Sequence, residues 1–306
     1  MYQFILKRIL FLVPVLFIVS VLTFSLSFLG AGDAARILAE KEYVRPTIAN
    51  IELTRVKYGL DKPAVEQYFH WLKKVCTGDF GNSYKTNKPV LKEFVHYFPN
   101  TLKLSFEALL IVIVIAIPFG MLSALKPGGV IDTVGKIITF FSVSMPSFWV
   151  GLMLLYILGA KLKVIQILGG DGMFIAAFTM AFGMLGMNIR LMKEGMSSVL
   201  DKGYMKAAKA KGISSLNLYG KHALKNAILP VVTKFGMIFG GFLSGASIIE
   251  SIFSITGIGK YALEAVVSKD VPVIQCYVMV MAAIVVLVNL AVDILYSFLD
   301  PRIRLS

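Results

Sequence analysis

Long uncharged runs recur along the chain and predict its elements more clearly than any shorter pattern of polar and apolar residues. Five runs are long enough to cross a lipid bilayer, because a transmembrane helix needs about 20 mostly apolar residues. These runs are 9–29, 108–125, 137–160, 172–189 and 271–292. A sixth run, 235–249, reaches that length if it begins at Leu229 and the amine of Lys234 extends to the interface. The pattern predicts an all-α membrane protein with six transmembrane helices.

The charges in the short connections predict which side of the membrane each connection faces. Lys and Arg are in excess in 126–136, in 190–225 and at the C-terminal Arg302 and Arg304. Short loops with this bias stay in the cytoplasm, so both termini are predicted to be cytoplasmic. The first apolar run is longer than that of a signal peptide and lacks a convincing cleavage site, which predicts an uncleaved first span.

The polar stretch between the first two runs, 30–100, is predicted to lie on the extracytoplasmic side of the membrane. Apolar residues recur there at helical spacing, as at Tyr68, Trp71 and Val75, and Gly and Pro interrupt the pattern. This favours a small extracytoplasmic helical cap over an independent domain. The predicted organisation is a cytoplasmic N-terminus and first span over 1–29, the cap over 30–100, and over 101–306 a core of five spans with a cytoplasmic loop at about 190–228.

The composition supports a membrane protein and argues against a soluble globular, a nucleic-acid-binding or a disulfide-rich protein. Hydrophobic residues make up 57% of the chain, and the mean hydropathy is +0.76, well above the range of soluble globular domains. The net charge of +13 is explained by cytoplasmic loops, and no basic cluster interleaved with aromatic residues points to nucleic acid. Cys76 and Cys276 are too few for a disulfide framework.

The basic loop is the most informative part of the sequence. Between 190 and 225 it holds eight Lys or Arg residues against two acids. Gly212 is placed to end an Ala/Lys helix, and Pro230 to close the loop before the next span. Separately, 207–218 is predicted as the coupling helix that contacts a partner. A basic amphipathic element between spans is what a membrane protein offers to a soluble partner.

This loop resembles the EAA loop of ABC-importer permeases, the segment that docks in a groove of the ATPase subunit. Lys206 stands where the wider family has Glu, and the stretch from Gly212 to Pro230 is longer than the commonest spacing, as in the peptide/nickel branch. The positions assigned to the loop by this resemblance are Tyr204, Lys206, Ala207, Ala208, Lys211, Gly212, Leu229 and Pro230.

Further strings carry the resemblance along the whole chain. They are Gly-x-Gly-Asp at 30–33, Tyr-Gly-Leu-Asp-Lys-Pro at 58–63, Gly-Asp-Phe-Gly-x-Ser at 78–83, Ser-Met-Pro-x-Phe-Trp at 144–149 and Asp-Pro-Arg-Ile-Arg at 300–304. The resemblance implies a type I ABC importer permease fold in a bacterial cytoplasmic membrane. It also implies a homologous second permease, two ATPase subunits and an extracytoplasmic binding protein as partners, in addition to the lipid bilayer. No cofactor is expected in this chain, because ATP and Mg are bound by the ATPases.

Small residues mark one face of the predicted fifth span. Gly236, Gly240, Gly241 and Gly245 form two small-xxx-small pairs, which allow helix backbones to approach closely. The pairs are explained by packing against a neighbouring helix, or by a pore wall that leaves room for substrate.

Methionines and one acid suggest a second candidate surface. Met173, Met180, Met184 and Met187 share a helical face, which suits core packing or contact with a partner at the pore. A nickel path along thioethers is disfavoured, because nickel prefers imidazole, carboxylate and water. Glu250 is placed at the outer mouth, where it would attract a cation or anchor the interface. No pair of histidines forms a metal site.

The chain lacks the motifs of an enzyme. The string at 254–261 lacks the leading Gly and the Ser/Thr after Lys that a phosphate-binding loop requires. ATP hydrolysis is therefore expected from separate subunits, and no catalytic residue is assigned.

The cargo is predicted from local strings that are similar to nickel permeases. These strings are 29–33, 143–149, 248–253 and 273–276. They favour import of nickel or a nickel chelate, with di- or oligopeptides as the alternative. A membrane anchor or receptor whose basic loop binds anionic lipid is the competing class. A gated channel is a further class, for which no selectivity-filter sequence is present.

Overall fold

A computed structural model of the chain describes four ranges of residues, which are 2–30, 33–43, 45–164 and 171–299. Helices dominate these ranges, and the one pairing of extended backbone among them is an isolated bridge between Asn82 and Pro89. The prediction of an all-α protein is therefore confirmed. The string at 300–304 and the middle of the Gly-x-Gly-Asp string lie outside the described residues.

The helices of the described ranges vary from one turn to ten. In chain order they are α1 (Tyr2–Gly30), α2 (Ala34–Glu42), α3 (Ile48–Lys57), α4 (Ala64–Cys76), α5 (Val90–Leu125), α6 (Val130–Ser144), α7 (Ser147–Leu154), α8 (Asp171–Leu200), α9 (Gly203–Ala210), α10 (Ser215–Asn217), α11 (Leu224–Ala227), α12 (Leu229–Gly245), α13 (Ser247–Ile252), α14 (Ile258–Val267) and α15 (Val271–Leu299). Two π-helical turns, Leu155–Lys161 and Leu218–Ala223, follow α7 and α10.

Contacts divide the chain into two units. The first unit comprises Tyr2–Pro99 and Thr256–Val286, and the second comprises Asn100–Ile255 and the residues from Leu287 onward. Helices α5 and α15 contribute residues to both units.

In the first unit, short helices begin at side chains that bind free backbone N–H groups. Asp33 accepts a hydrogen bond from the Ala35 N–H at the start of α2, and Thr47 does the same for Asn50 at the start of α3. The helical aromatic spacing seen in the sequence packs α4 on α1, because the Tyr68 ring lies 5.4 Å from that of Phe24. The predicted helices of this region are therefore present.

The second unit is built around α8. Small residues let its neighbours approach closely, since a Cβ added at Gly120 on α5 would lie 2.5 Å from the Met192 Cβ. A Cβ added at Gly186 on α8 would lie 2.4 Å from the Thr139 Cα on α6. Helices α7, α11 and α12 also pack on α8, which makes it the centre of the unit's core.

The predicted third span is broken. Helices α6 and α7 meet at Met145 and Pro146 with a bend of 104°, so the apolar run 137–160 does not form one straight helix. Pro146 has no N–H and disfavours a helical conformation at the preceding residue, and Met145 is extended (φ −100°, ψ 128°).

Within the described residues, three helices are by themselves long and apolar enough to cross a membrane. They are Val90–Leu125, Gly172–Leu200 and Val271–Val292. The number rises to five if two bent pairs, α6 with α7 and the 215–227 segment with α12, each form one span. Within α1, the apolar stretch that can be described, Leu12–Ser25, is too short to cross a membrane by itself. The count of six spans stays a prediction.

Candidate functional site

The basic loop is largely helical. Helix α8 continues to Leu200, so the first part of the loop extends the preceding span. The single helix predicted over 207–218 is wrong, because α9 ends at Ala210 and a second helical stretch begins at Ser215. We call the segment 203–227 the docking segment.

Gly212 ends α9, as predicted. Its φ of +76° lies in the left-handed region, which costs an L side chain about 1–2 kcal/mol. The Gly212 N–H donates to the Lys209 carbonyl (3.1 Å) and the Ile213 N–H to the Ala208 carbonyl (3.4 Å). These two bonds form a Schellman motif and reverse the chain direction after α9.

One side of the docking segment is anchored in the core of the second unit. Met205, Leu218, Ala223 and Ala227 are buried there. A Cβ added at Gly195 on α8 would lie 2.8 Å from the Ala227 carbonyl oxygen, so the two backbones are in close contact. A polar contact joins the two halves of the segment, because the Asn226 amide donates to the Tyr204 hydroxyl (3.0 Å). The segment is therefore held in a defined position on α8.

The other side of the docking segment is exposed, basic and partly apolar. Ala207 is exposed and Ala208 half-buried, while Leu216 is 85% exposed. In the described part of the chain, no salt bridge involves the exposed lysines of this segment. These lysines are Lys206, Lys209, Lys211, Lys221 and Lys225. A partner with an acidic rim and an apolar recess would complement this surface.

Leu229 and Pro230 form the first turn of α12. Leu229 is half-buried, and Pro230 is exposed at a position where its missing N–H has no helical partner to lose. The predicted end of the loop therefore coincides with the start of a helix.

The glycines of α12 separate into two environments. A Cβ added at Gly236 would lie 2.0 Å from a methyl carbon of Val292 on α15, and Gly240 is buried. A Cβ added at Gly241 or Gly245 would meet nothing within 4 Å. The first pair therefore packs against a neighbouring helix, and the second pair faces open space.

The methionines of α8 also differ in exposure. Met180 is buried at 7% exposure, whereas Met184 and Met187 are 39% and 58% exposed. Glu250 is completely buried and accepts a hydrogen bond from the Thr101 hydroxyl, both within the second unit. Glu250 is therefore not exposed to a free cation in this chain, and its location at the outer mouth stays a prediction.

Buried carboxylates are the polar features that the sequence did not reveal. In the second unit, Asp132 is 2% exposed and accepts from the Gly128 N–H (2.9 Å) and from Lys193 (2.5 Å). Lys136, one turn further along α6, lies 3.1 Å from the same carboxylate. No local spacing in the sequence indicates that residues 132 and 193 meet.

A second buried carboxylate, Asp270, binds the last residue of the Gly-Asp-Phe-Gly-x-Ser string and the two residues after it. In the first unit, Asp270 accepts from the Ser83 hydroxyl (2.5 Å), the Tyr84 N–H (2.9 Å) and the Lys85 N–H (3.0 Å). Burial, with the charge of Asp270, raises the pKa of Tyr84 to about 12. Ser83 therefore fixes a turn against a residue far away in the sequence.

Glu93 binds the other side of this turn. Its carboxylate accepts from the Thr86 hydroxyl (3.0 Å) and the Tyr261 hydroxyl (2.8 Å). Burial and this hydrogen bond raise the pKa of Tyr261 well above its usual value. Among the described residues, no group of three or more His, Cys, Asp or Glu side chains is arranged to hold a metal ion.

The described residues form helices, several of which are long and apolar enough to cross a membrane. The family model described as "Binding-protein-dependent transport system inner membrane component" matches residues 116–305. The model described as "Binding-prot-dependent transport system membrane comp, N-term" matches residues 1–105. The chain belongs to this family, the permease subunits of ABC importers, and within it to the dipeptide/oligopeptide permeases.

Similar curated proteins extend over the full length of the chain. The dipeptide transport system permease protein DppB of Alkalihalophilus pseudofirmus is 35% identical and covers 99% of this chain and 100% of the relative. DppB of Escherichia coli K12 is 34% identical, with 99% of both chains covered. The glutathione transport system permease protein GsiC of Escherichia coli K12 is 32% identical, also with 99% of both covered. The predicted family resemblance is confirmed.

A solved structure shares the fold. An inward-facing structure of the MetNI methionine ABC transporter superposes with a TM-score of 0.57 at 18% identity. The match covers 68% of this chain and 96% of that chain. The chain is thus a multi-pass inner-membrane protein of the ABC importer permease fold, and separate subunits of such importers hydrolyse ATP.

Proposed function

We propose that this chain is a pore-forming subunit of an importer for di- or oligopeptides. The observation that carries the proposal is its full-length similarity to permeases named for dipeptides and glutathione. The local strings that favoured nickel are short, whereas this similarity extends over 99% of the chain. Peptide cargo therefore replaces nickel as the leading hypothesis.

Energy for import enters through the docking segment. We infer that two ATPase subunits, which bind ATP and Mg, serve this chain and a homologous second permease. Closure of the ATPases would push on the exposed lysines and on Leu216, and the anchored side would transmit the movement to α8. Because Met205 is only 4% exposed, the segment has a buried side through which it moves with the core.

The first unit supplies a surface for the extracytoplasmic binding protein. Helices α2, α3 and α4, with the turn at 79–87, surround a cleft of about 1630 Å³. Lys41, Lys73 and Lys74 line it and take part in no salt bridge within the described chain. A binding protein with an acidic contact surface would complement this cleft.

The open face of α12 is the candidate for the pore wall. Gly241 and Gly245 face space that no described side chain occupies within 4 Å of an added Cβ. Exposed Met184 and Met187 on α8 form a second unpartnered surface in the same unit. We assign these residues to the pore or to the contact with the second permease. We also propose that the chain has the type I permease architecture, with six spans and both termini in the cytoplasm.

Uptake in cells with and without the gene tests the cargo. Loss of labelled dipeptide uptake on deletion, with restoration by the intact gene, is the expected result. Labelled nickel is measured in the same cells with and without excess dipeptide. Nickel uptake that disappears on deletion, and that peptide does not compete away, would overturn peptide cargo but leave the permease assignment intact.

A further inference from the structure

A cavity with both charged and apolar walls lies in the second unit, apart from the docking segment. Its volume is about 610 Å³, and residues from α5, α6 and α8 line it. Lys136, Arg190 and Lys193 contribute the basic groups, and Asp132 and Glu194 the acids. The ring of Phe140 contributes an apolar wall.

The charges of this cavity do not cancel. Asp132 is almost fully buried and contacts two lysines, Lys193 at 2.5 Å and Lys136 at 3.1 Å. One carboxylate neutralises one ammonium, so one positive charge remains on this cluster. Arg190 pairs with Glu194 at 2.8 Å, and both side chains are mostly exposed. The cavity therefore has one excess positive charge, which matches the single negative charge of a phosphodiester.

Of the two lysines that contact Asp132, Lys136 is the more accessible one. Its side chain is 65% exposed, whereas that of Lys193 is 27% exposed and closer to Asp132. Lys136 can therefore turn toward a ligand while Lys193 keeps the buried carboxylate paired. This arrangement avoids the cost of an unpaired buried charge when the ligand binds.

The position of the cavity along the helices adds a second argument. The uncharged run on α6 begins directly after Lys136, and the run on α8 ends directly before Arg190. These charges therefore belong at the boundary between hydrocarbon and water. On the apolar side of that boundary, Ile137 is 50% exposed and Phe140 is 67% exposed. A ligand that fits needs a negative head and an apolar tail.

We propose that this cavity binds the headgroup phosphate of an anionic phospholipid such as phosphatidylglycerol, with an acyl chain along Ile137 and Phe140. Basic pockets between membrane helices are suited to such headgroups. A free phosphate ion shares the headgroup chemistry but would leave the apolar wall unused. The proposal depends on the membrane placement of α6 and α8 and not on the cargo or the ATPase.

Lipid retention measures this binding. The full-length chain is extracted in mild detergent with its native partner subunits, and native mass spectrometry counts bound phosphatidylglycerol. The double variant Lys136→Gln/Arg190→Gln is expected to weaken binding roughly 25-fold, since each basic group near a headgroup contributes about a fivefold factor. Lys126→Gln/Lys202→Gln is the matched control, because it removes the same charge from residues that do not line the cavity.

Three outcomes would overturn the proposal. Equal phosphatidylglycerol retention by the double variant and the control would exclude the cavity as the site. Equal retention of phosphatidylcholine by the wild-type chain would show that the negative charge is not selected. Displacement of phosphatidylglycerol by inorganic phosphate at matched concentration would identify a free-phosphate site. If the double variant does not reach the membrane, Lys136→Gln alone decides, with an expected fivefold loss that Lys136→Arg restores.

Discussion

The docking segment and the turn at 83–86 use polar groups in opposite ways. In the docking segment, Leu216 and several lysines are exposed, and these lysines form no salt bridge within the described chain. In the turn, the Ser83 hydroxyl and two backbone N–H groups all bind one buried carboxylate, that of Asp270. The first region leaves its polar groups available to a partner, and the second uses them to fix its own conformation.

This difference leads to different consequences of mutation. A change in the turn leaves buried donors without an acceptor, which destabilises the protein itself. A change on the exposed side of the docking segment leaves the fold intact and acts when a partner binds. The variants below test this separation, beginning with the largest expected effect.

Replacement of Asp270 by Ala should destabilise the first unit by about 3–5 kcal/mol. The variant leaves the Ser83 hydroxyl and the N–H groups of Tyr84 and Lys85 without their buried acceptor. Buried Cys276, in the same unit, reports unfolding through its maleimide labelling rate in a Cys76→Ser background. We expect labelling to become much faster.

Asp79→Ala is the matched control for this variant. Asp79 is an exposed carboxylate of the same string, and it accepts a local hydrogen bond from the Gly81 N–H (2.9 Å). Its removal should cost about 1 kcal/mol or less. Equal labelling rates for the two variants would contradict the assigned role of Asp270.

Gly212→Val should uncouple transport without removing the protein from the membrane. A β-branched side chain at φ +76° is strained by at least about 1–2 kcal/mol, which opens the end of α9 and displaces its exposed face. Peptide uptake should fall roughly 5- to 30-fold at unchanged membrane content.

The control for strain at Gly212 is Gly220→Val. Gly220 lies in the π-helical turn of the same segment, where an added Cβ would meet nothing within 4 Å. Normal uptake in the Gly220 variant and low uptake in the Gly212 variant are expected. Equal uptake in both would disprove the importance of the turn after α9.

These positions also show what the sequence can predict. The end of α9 is encoded locally, because a glycine follows an Ala/Lys helix, and the structure confirms it. Pro146 favours a helix break at this position, but no local pattern gives the 104° bend. The Ser83–Asp270 contact joins residues 187 positions apart, and no periodic pattern links them. The sequence therefore did not predict the long-range polar pairs or the burial of Glu250.

Leu216→Asp tests the exposed side of the docking segment directly. Burial of a Leu side chain in a partner's recess contributes about 1.5–3 kcal/mol, so association with the ATPase should weaken at least tenfold. Leu216→Met keeps an apolar side chain of similar size and should bind normally. Co-purification of the ATPase with each variant at several protein concentrations gives the comparison. Unchanged association of the Asp variant would remove Leu216 from the interface.

The smallest change in stability is expected for Gly241→Ala on α12. Its comparison with Gly236→Ala again separates a position that faces open space from one that packs inside the chain. Gly241→Ala has free space around its added Cβ and should stabilise the helix by about 0.5–1 kcal/mol. Gly236→Ala, five residues earlier, would force a methyl group into Val292 and should cost about 1–3 kcal/mol. The thermal unfolding of each purified variant measures both changes. If Gly241→Ala is as stable as expected but imports bulky peptides more slowly than small ones, its face lines the pore. Equal import of all peptides would exclude Gly241 from the pore wall and leave the contact with the second permease as its role.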